Sequence, residues 1–208
     1  MTNDLLRQEA RQCSWLSLSL PPAATVALLG LAAMAYQMAP SREAALVGLS
    51  KFVWLLPLAQ GLAAVAPLTG DPVVELHESS PTPFRRTLVC RAIVVTVAAL
   101  ITSAALYLGM HLMNMWGGPP GISGMLNTFC QGAFLIAVAY AAVSVTPTAS
   151  SASLLVMTAW IFMVFGINAV IGDVLVNRVL LLVLAAVLVQ IGYQRLGDSE
   201  RLLQGVQS

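Results

Sequence analysis

GDPVVELHESSPTPFRRTLVCR, residues 70–91, is the one stretch where charge concentrates in a chain that is otherwise almost entirely apolar. It holds three of the nine acidic residues (Asp71, Glu75, Glu78), three of the ten basic ones (Arg85, Arg86, Arg91) and His77, one of two histidines. Asp71 is placed to accept from the exposed amides of a helix start, and Pro72 tolerates the first helical position because the N–H it lacks would have had no partner there. Val73, Val74 and Leu76 supply an apolar side, while Glu75 and Glu78 share the other. Pro81 and Pro83 stop the helix. Thr82-Pro83 repeats the cap-then-proline signal and opens the next helix, which carries Arg85, Arg86 and Arg91 in its first turns. The stretch predicts a span, a short acidic surface helix over 71–80, a proline break and a second span.

Working outward, the 208 residues are 58% hydrophobic and 9% charged, with a mean hydropathy of +0.84. Soluble domains carry about 25% charged residues, so an ordinary water-soluble fold is excluded and a polytopic helical membrane protein is expected. The net charge of +1 gives no reason to expect nucleic acid as a partner. Cys13, Cys90 and Cys130 are scattered, odd in number and without metal-ligand spacing, and read as small apolar residues.

Residues 4–19, DLLRQEARQCSWLSLS, place Leu5, Leu6, Cys13 and Leu16 at helical spacing with Trp15 near the end. This predicts an amphipathic helix lying in the headgroup region, followed by a break at Pro21-Pro22. The acidic and basic residues at its start do not resemble a secretory signal. Six apolar runs follow at 23–39, 52–68, 88–113, 126–145, 154–172 and 179–195. A bilayer core needs about 20 helical residues, so the shorter runs must borrow flanking residues. With the N-terminus cytoplasmic, the inner surfaces carry Arg7, Arg11, Arg85, Arg86, Arg91, Arg195 and Arg201, and the outer ones Arg42, Lys51 and Arg178. This asymmetry predicts both termini inside and the acidic stretch on the cytoplasmic side of a plasma membrane. The segment TPTASSAS at 146–153 reads as an uncharged inner loop, and NMWGGPPGISG as a compact outer turn.

Gly121-Ile122-Ser123-Gly124 matches the glycine-flanked serine of rhomboid intramembrane proteases. A serine nucleophile needs a base, and neither His77 nor His111 follows Ser123 on a later span. The ordinary reading is a turn with Ser123 capping the fourth helix. Glu75, His77 and Glu78 point in different directions around a helix and do not make a metal site. No catalytic residue and no metal site is expected. The spans hold Gln60, Thr96, Thr102, Ser103, Gln131, Thr158, Asn168 and Gln190 but no acid or base at mid-depth, where an ion-coupled carrier keeps one. Energy must then come from another chain. Gly61, Ala64, Ala98, Ala139 and Ala142 read as helix-packing positions.

This layout resembles the membrane subunit of ABC exporters of the ABC type-2 permease class. The resemblance rests on Glu75, Glu78, Ser79, Ser80, Pro81, Arg85, Arg86 and Arg91, on the amphipathic N-terminal segment, and on six spans with both ends inside. It implies an all-α fold in which 71–80 is a cytoplasmic coupling helix docking on a separate ATPase subunit through Asp71, Glu75, Leu76, Glu78, Ser79, Arg85 and Arg86. ATP and Mg would belong to that ATPase, with no cofactor on this chain. A second permease subunit, identical or paralogous, and membrane lipid are the other implied partners. The resemblance also implies a path lined by the second and fifth spans, with Trp54, Leu58, Gln60, Trp160, Phe165 and Asn168 as candidate contacts for an amphipathic, lipidic or peptide-like cargo. In two respects the chain departs from the class: 171–178 is short where many relatives have a large outer region, and 146–153 offers an ATPase little to grip. The competing reading is a non-transporting membrane partner or sensor that uses the same acidic helix to dock.

Overall fold

The computed structural model describes residues 15–38, 41–69, 84–113, 122–146 and 148–205. The described chain is all-helical, and six of its stretches are long and apolar enough to cross a membrane: Ser19–Met38, Glu43–Thr69, Leu88–Leu112, Ile122–Val143, Ala149–Val170 and Val174–Arg195. The chain is a multi-pass membrane protein by this measure. Large apolar side chains cover its outward surface, among them Val26, Ile101, Leu108, Phe165 and Val170. That surface suits hydrocarbon, which makes no demand for polar groups.

Helix α1 runs Trp15–Met38 and contains Pro21 and Pro22 in its interior. The expected break there is absent, so residues 15–19 belong to the first span's own helix. Two prolines remove the N–H groups that would reach the carbonyls of Ser17 and Leu18, so the helix passes through them with two of its own hydrogen bonds missing. Thr25 Oγ1 donates to the Pro21 carbonyl at 2.9 Å and strengthens the following turn. Residues 4–14 of the expected interfacial helix lie outside the described residues.

The second span is longer than the sequence predicts. Helix α2, Arg42–Val53, is capped by Ser41, whose side chain accepts from the Ala44 amide, and carries Glu43 in its first turn and Lys51 in its last. Both charges complement the helix dipole, which is why a stretch expected as an outer loop is helical. A turn at Trp54 separates it from α3, Leu55–Thr69. Pro57 explains the turn, because its ring crowds the Val53 carbonyl and it has no N–H to offer it.

Helix α4 spans Phe84–Leu112 and α5 Ile122–Val143. Helix α6 begins at Ala149 and ends at Phe162, so most of the expected loop at 146–153 is helix. Thr148 caps it by accepting from the Ser151 amide. The fifth span continues through a π turn at Met163–Ile167 into the short α7, Asn168–Val170. Helix α8, Val174–Gly205, starts five residues before the predicted sixth run. Asp173 sets that start, its Oδ1 accepting from the amides of Leu175 and Val176.

Helix α5 is the centre of the bundle. It packs on α3, α8, α4 and α6, while α1 closes over α3 and α4. A core joining these spans holds Ala64, Leu68, Leu88, Leu135, Ala139, Tyr140, Val156, Met163 and Leu181. A smaller cluster joins Leu28 and Ala32 of α1, Ala45 and Leu49 of α2, Leu56 of α3, and Leu106 and Met110 of α4. At Gly61 an added Cβ would come within 2.7 Å of the Leu135 Cβ. The missing side chain is what allows α3 and α5 to approach so closely.

Candidate functional site

The acidic stretch 70–83, with Asp71, Glu75, Leu76, Glu78 and Ser79, lies outside the described residues, and Arg85 and Arg86 are described only as part of the α4 backbone. Its two anchors are described. Thr69 ends α3 and bonds back through Oγ1 to the Val65 carbonyl at 2.9 Å. Arg91 on α4 is 5% exposed, and its guanidinium donates to the Pro67 carbonyl at 3.0 Å. That carbonyl lies in the last turn of α3, where helix carbonyls run out of amide partners and the dipole is negative. A cation from the neighbouring helix supplies both the missing donor and the matching charge. The ends of α3 and α4 that bracket the connection are thereby tied, and Leu68 and Leu88 join them to the main core.

The candidate path residues lie in different surroundings. Trp160 Nε1 donates to the Trp54 carbonyl at 2.9 Å, joining the fifth span to the turn in the second. Gln60 is fully buried, and its amide nitrogen donates to the Ala99 carbonyl at 3.0 Å and to the hydroxyls of Thr102 and Ser103, each at 3.1 Å. Its Oε1 is buried without a partner among the described residues and occupies a notch over Gly132, where an added Cβ would collide with it. Gln60 thus joins α3, α4 and α5 within this chain. Leu58 is half-buried, and Phe165 faces outward at 71% exposure. Asn168 lies at the far end of the fifth span, where its Oδ1 accepts from Asn177. The structure does not bring these six side chains to one surface.

Ser123 is inside the first turn of α5 rather than ahead of it, and its described partner is Arg178, which donates to its carbonyl and, at 2.6 Å, to its hydroxyl. His111 is exposed near the end of α4. The sequence treated Arg91 and Arg178 as surface charges that vote on orientation. A signal was available for each: Arg91 lies inside the apolar run 88–113, and Arg178 follows an aspartate placed to start a helix. What each one meets is decided by the packing of another helix.

The chain matches no protein-family model and no curated protein.

Proposed function

We propose that this chain is the membrane-spanning permease subunit of an ATP-driven ABC transporter of the type-2 class, exporting an amphipathic, lipidic or peptide-like cargo. In this reading residues 71–80 form the cytoplasmic coupling helix, residues 4–14 belong to an interfacial helix, and both termini lie in the cytoplasm. ATP and Mg are held by a separate ATPase subunit, and a second permease subunit, identical or paralogous, completes the path. The chain itself is not an enzyme.

The observation that carries the proposal is the tie between Arg91 and the end of α3. A segment pushed or pulled by a partner does useful work only if both of its ends are fixed to the bundle. Here they are fixed to each other and, through Leu68 and Leu88, to the core shared with the fourth and fifth spans. A displacement of 70–83 is then passed on as a rigid-body tilt of two helices. The absence of any acid or base at mid-depth in the sequence supports an external energy source.

The test is to look for an ABC ATPase among the reading frames beside this one and to co-express the two chains. Reversing the charges with Glu75→Arg and Glu78→Arg is expected to abolish both co-purification and the stimulation of ATP hydrolysis by the reconstituted complex. Export that continues while association is lost would instead favour a docking subunit without a transport role.

A further inference from the structure

At the end of the bundle opposite the 70–83 connection, polar side chains of three spans meet. Arg178, in the second turn of α8, bonds the carbonyl and hydroxyl of Ser123 on α5. Asn127 lies one turn beyond Ser123 on the same face of α5. Asn177, 7% exposed, donates to the Asn168 Oδ1 just beyond the π turn.

Four atoms of this group are buried and have no partner among the described residues: Arg178 Nε, Asn168 Nδ2, Asn177 Oδ1 and Asn127 Oδ1. Orphaned polar groups are unfavourable anywhere and most of all beside hydrocarbon. Among the described residues Arg178 makes no ion pair. Toward this end of the bundle the carboxylates are Glu43 and Asp173, and the Asp173 Oδ1 is occupied by the amides that start α8. The N-termini of α5 and α8 add partial positive charge. π turns inside spans concentrate at functional sites.

We infer that this cluster is a binding site for a phosphate ester. Phosphate oxygens accept from a guanidinium edge and an amide N–H together, which accounts for Arg178 Nε and Asn168 Nδ2. A hydroxyl or ammonium on the esterified group supplies donors for Asn127 Oδ1 and Asn177 Oδ1. The depth agrees, since Arg178 lies about 6 Å along α8 from its start at a helical rise of about 1.5 Å per residue. A helix that starts at the membrane surface would hold its guanidinium within reach of headgroup phosphates at this distance. Leu175 and Val170, exposed by 67% and 83%, give the outward surface nearby an apolar character suited to acyl chains. A phospholipid and a soluble phosphate ester share this chemistry. The inference stands whether or not the chain works with an ATPase.

The test uses the full chain in phosphatidylcholine nanodiscs. Spin-labelled phosphatidylglycerol and spin-labelled phosphatidylcholine report lipid selectivity, and 31P NMR titration with glycerol phosphate reports the soluble form. The wild type is expected to hold phosphatidylglycerol selectively, Arg178→Gln to lose that selectivity about tenfold, and Arg178→Lys to keep most of it. Asn127→Leu breaks no described hydrogen bond and is expected to weaken binding about threefold, so it carries the test if Arg178→Gln does not fold. Saturable glycerol phosphate binding that depends on Arg178 and Asn127 would assign the site to a soluble ester instead. Binding of neither probe, or binding of either that both substitutions leave unchanged, overturns the proposal.

Discussion

Arg91 and Arg178 are guanidinium groups drawn into opposite ends of the same bundle, and they stand in opposite fields. Arg91 meets the last turn of α3, the negative end of a helix dipole, and donates to a carbonyl that needs a donor. Arg178, in the second turn of α8, donates into the first turn of α5, close to two positive helix ends, and among the described residues keeps one buried N–H without a partner. Fourth and second spans are 67% and 50% buried in their most apolar windows, while the fifth and sixth are 17% buried. The contrast teaches that burial of a charge does not by itself mark a site. Arg91 holds structure because its surroundings complete it, whereas Arg178 is surrounded by groups that a ligand would complete.

The largest effect should come from removing the completed charge. Arg91→Leu leaves the Pro67 carbonyl without its donor and releases the end of α3, and we expect a loss of about 3 kcal/mol, read as a marked fall in the melting temperature of the purified protein. A variant as stable as the wild type would show that the two ends of the bundle are held alike. Next in size is Gly132→Ala, which places a methyl group where Gln60 Oε1 lies. Overpacking of this kind should cost about 1–3 kcal/mol, and Gln60→Ala in the same chain should recover part of it in a double-mutant cycle.

At the other end the expected changes are small. The pair Asn168→Leu and Asn177→Leu removes one hydrogen bond together with two orphaned atoms, so stability measured without added phosphate ester should change by less than about 1 kcal/mol. A large loss would make this cluster a structural joint like the one at Arg91. Smallest of all is Ser123→Ala, because Arg178 keeps its bond to the Ser123 carbonyl. It should shift the melting temperature by less than the equivalent of about 0.5 kcal/mol.

The spans were legible because hydrocarbon imposes a simple demand, and runs of Leu, Val and Ala long enough to cross show in any sequence. Span ends were less so. Pro21-Pro22 reads as a stop, yet the helix passes through it. Pro57 lies inside the second apolar run, and its effect falls three residues earlier at Trp54, where the helix divides. Asp173 starts α8 earlier than hydropathy alone suggests, because Asn177 and Arg178 lower the local average while facing the interior. The candidate path was drawn from residue types on two spans. Whether such residues share a surface depends on the rotation of each helix, which Gln60, sealed against α4 and α5, shows well.

The π turn at Met163–Ile167 fits one more residue into the fifth span than a uniform α-helix of the same height would hold. Each residue advances a helix by about 100°, from 3.6 residues per turn, so this insertion resets the azimuth of everything beyond it. Asn168 reaches Asn177 on that shifted phase. Excising a single residue between Met163 and Ile167 would straighten the coil, swing the amide sideways by about a quarter turn, and uncouple the tip of this helix from its neighbour while leaving the membrane crossing intact.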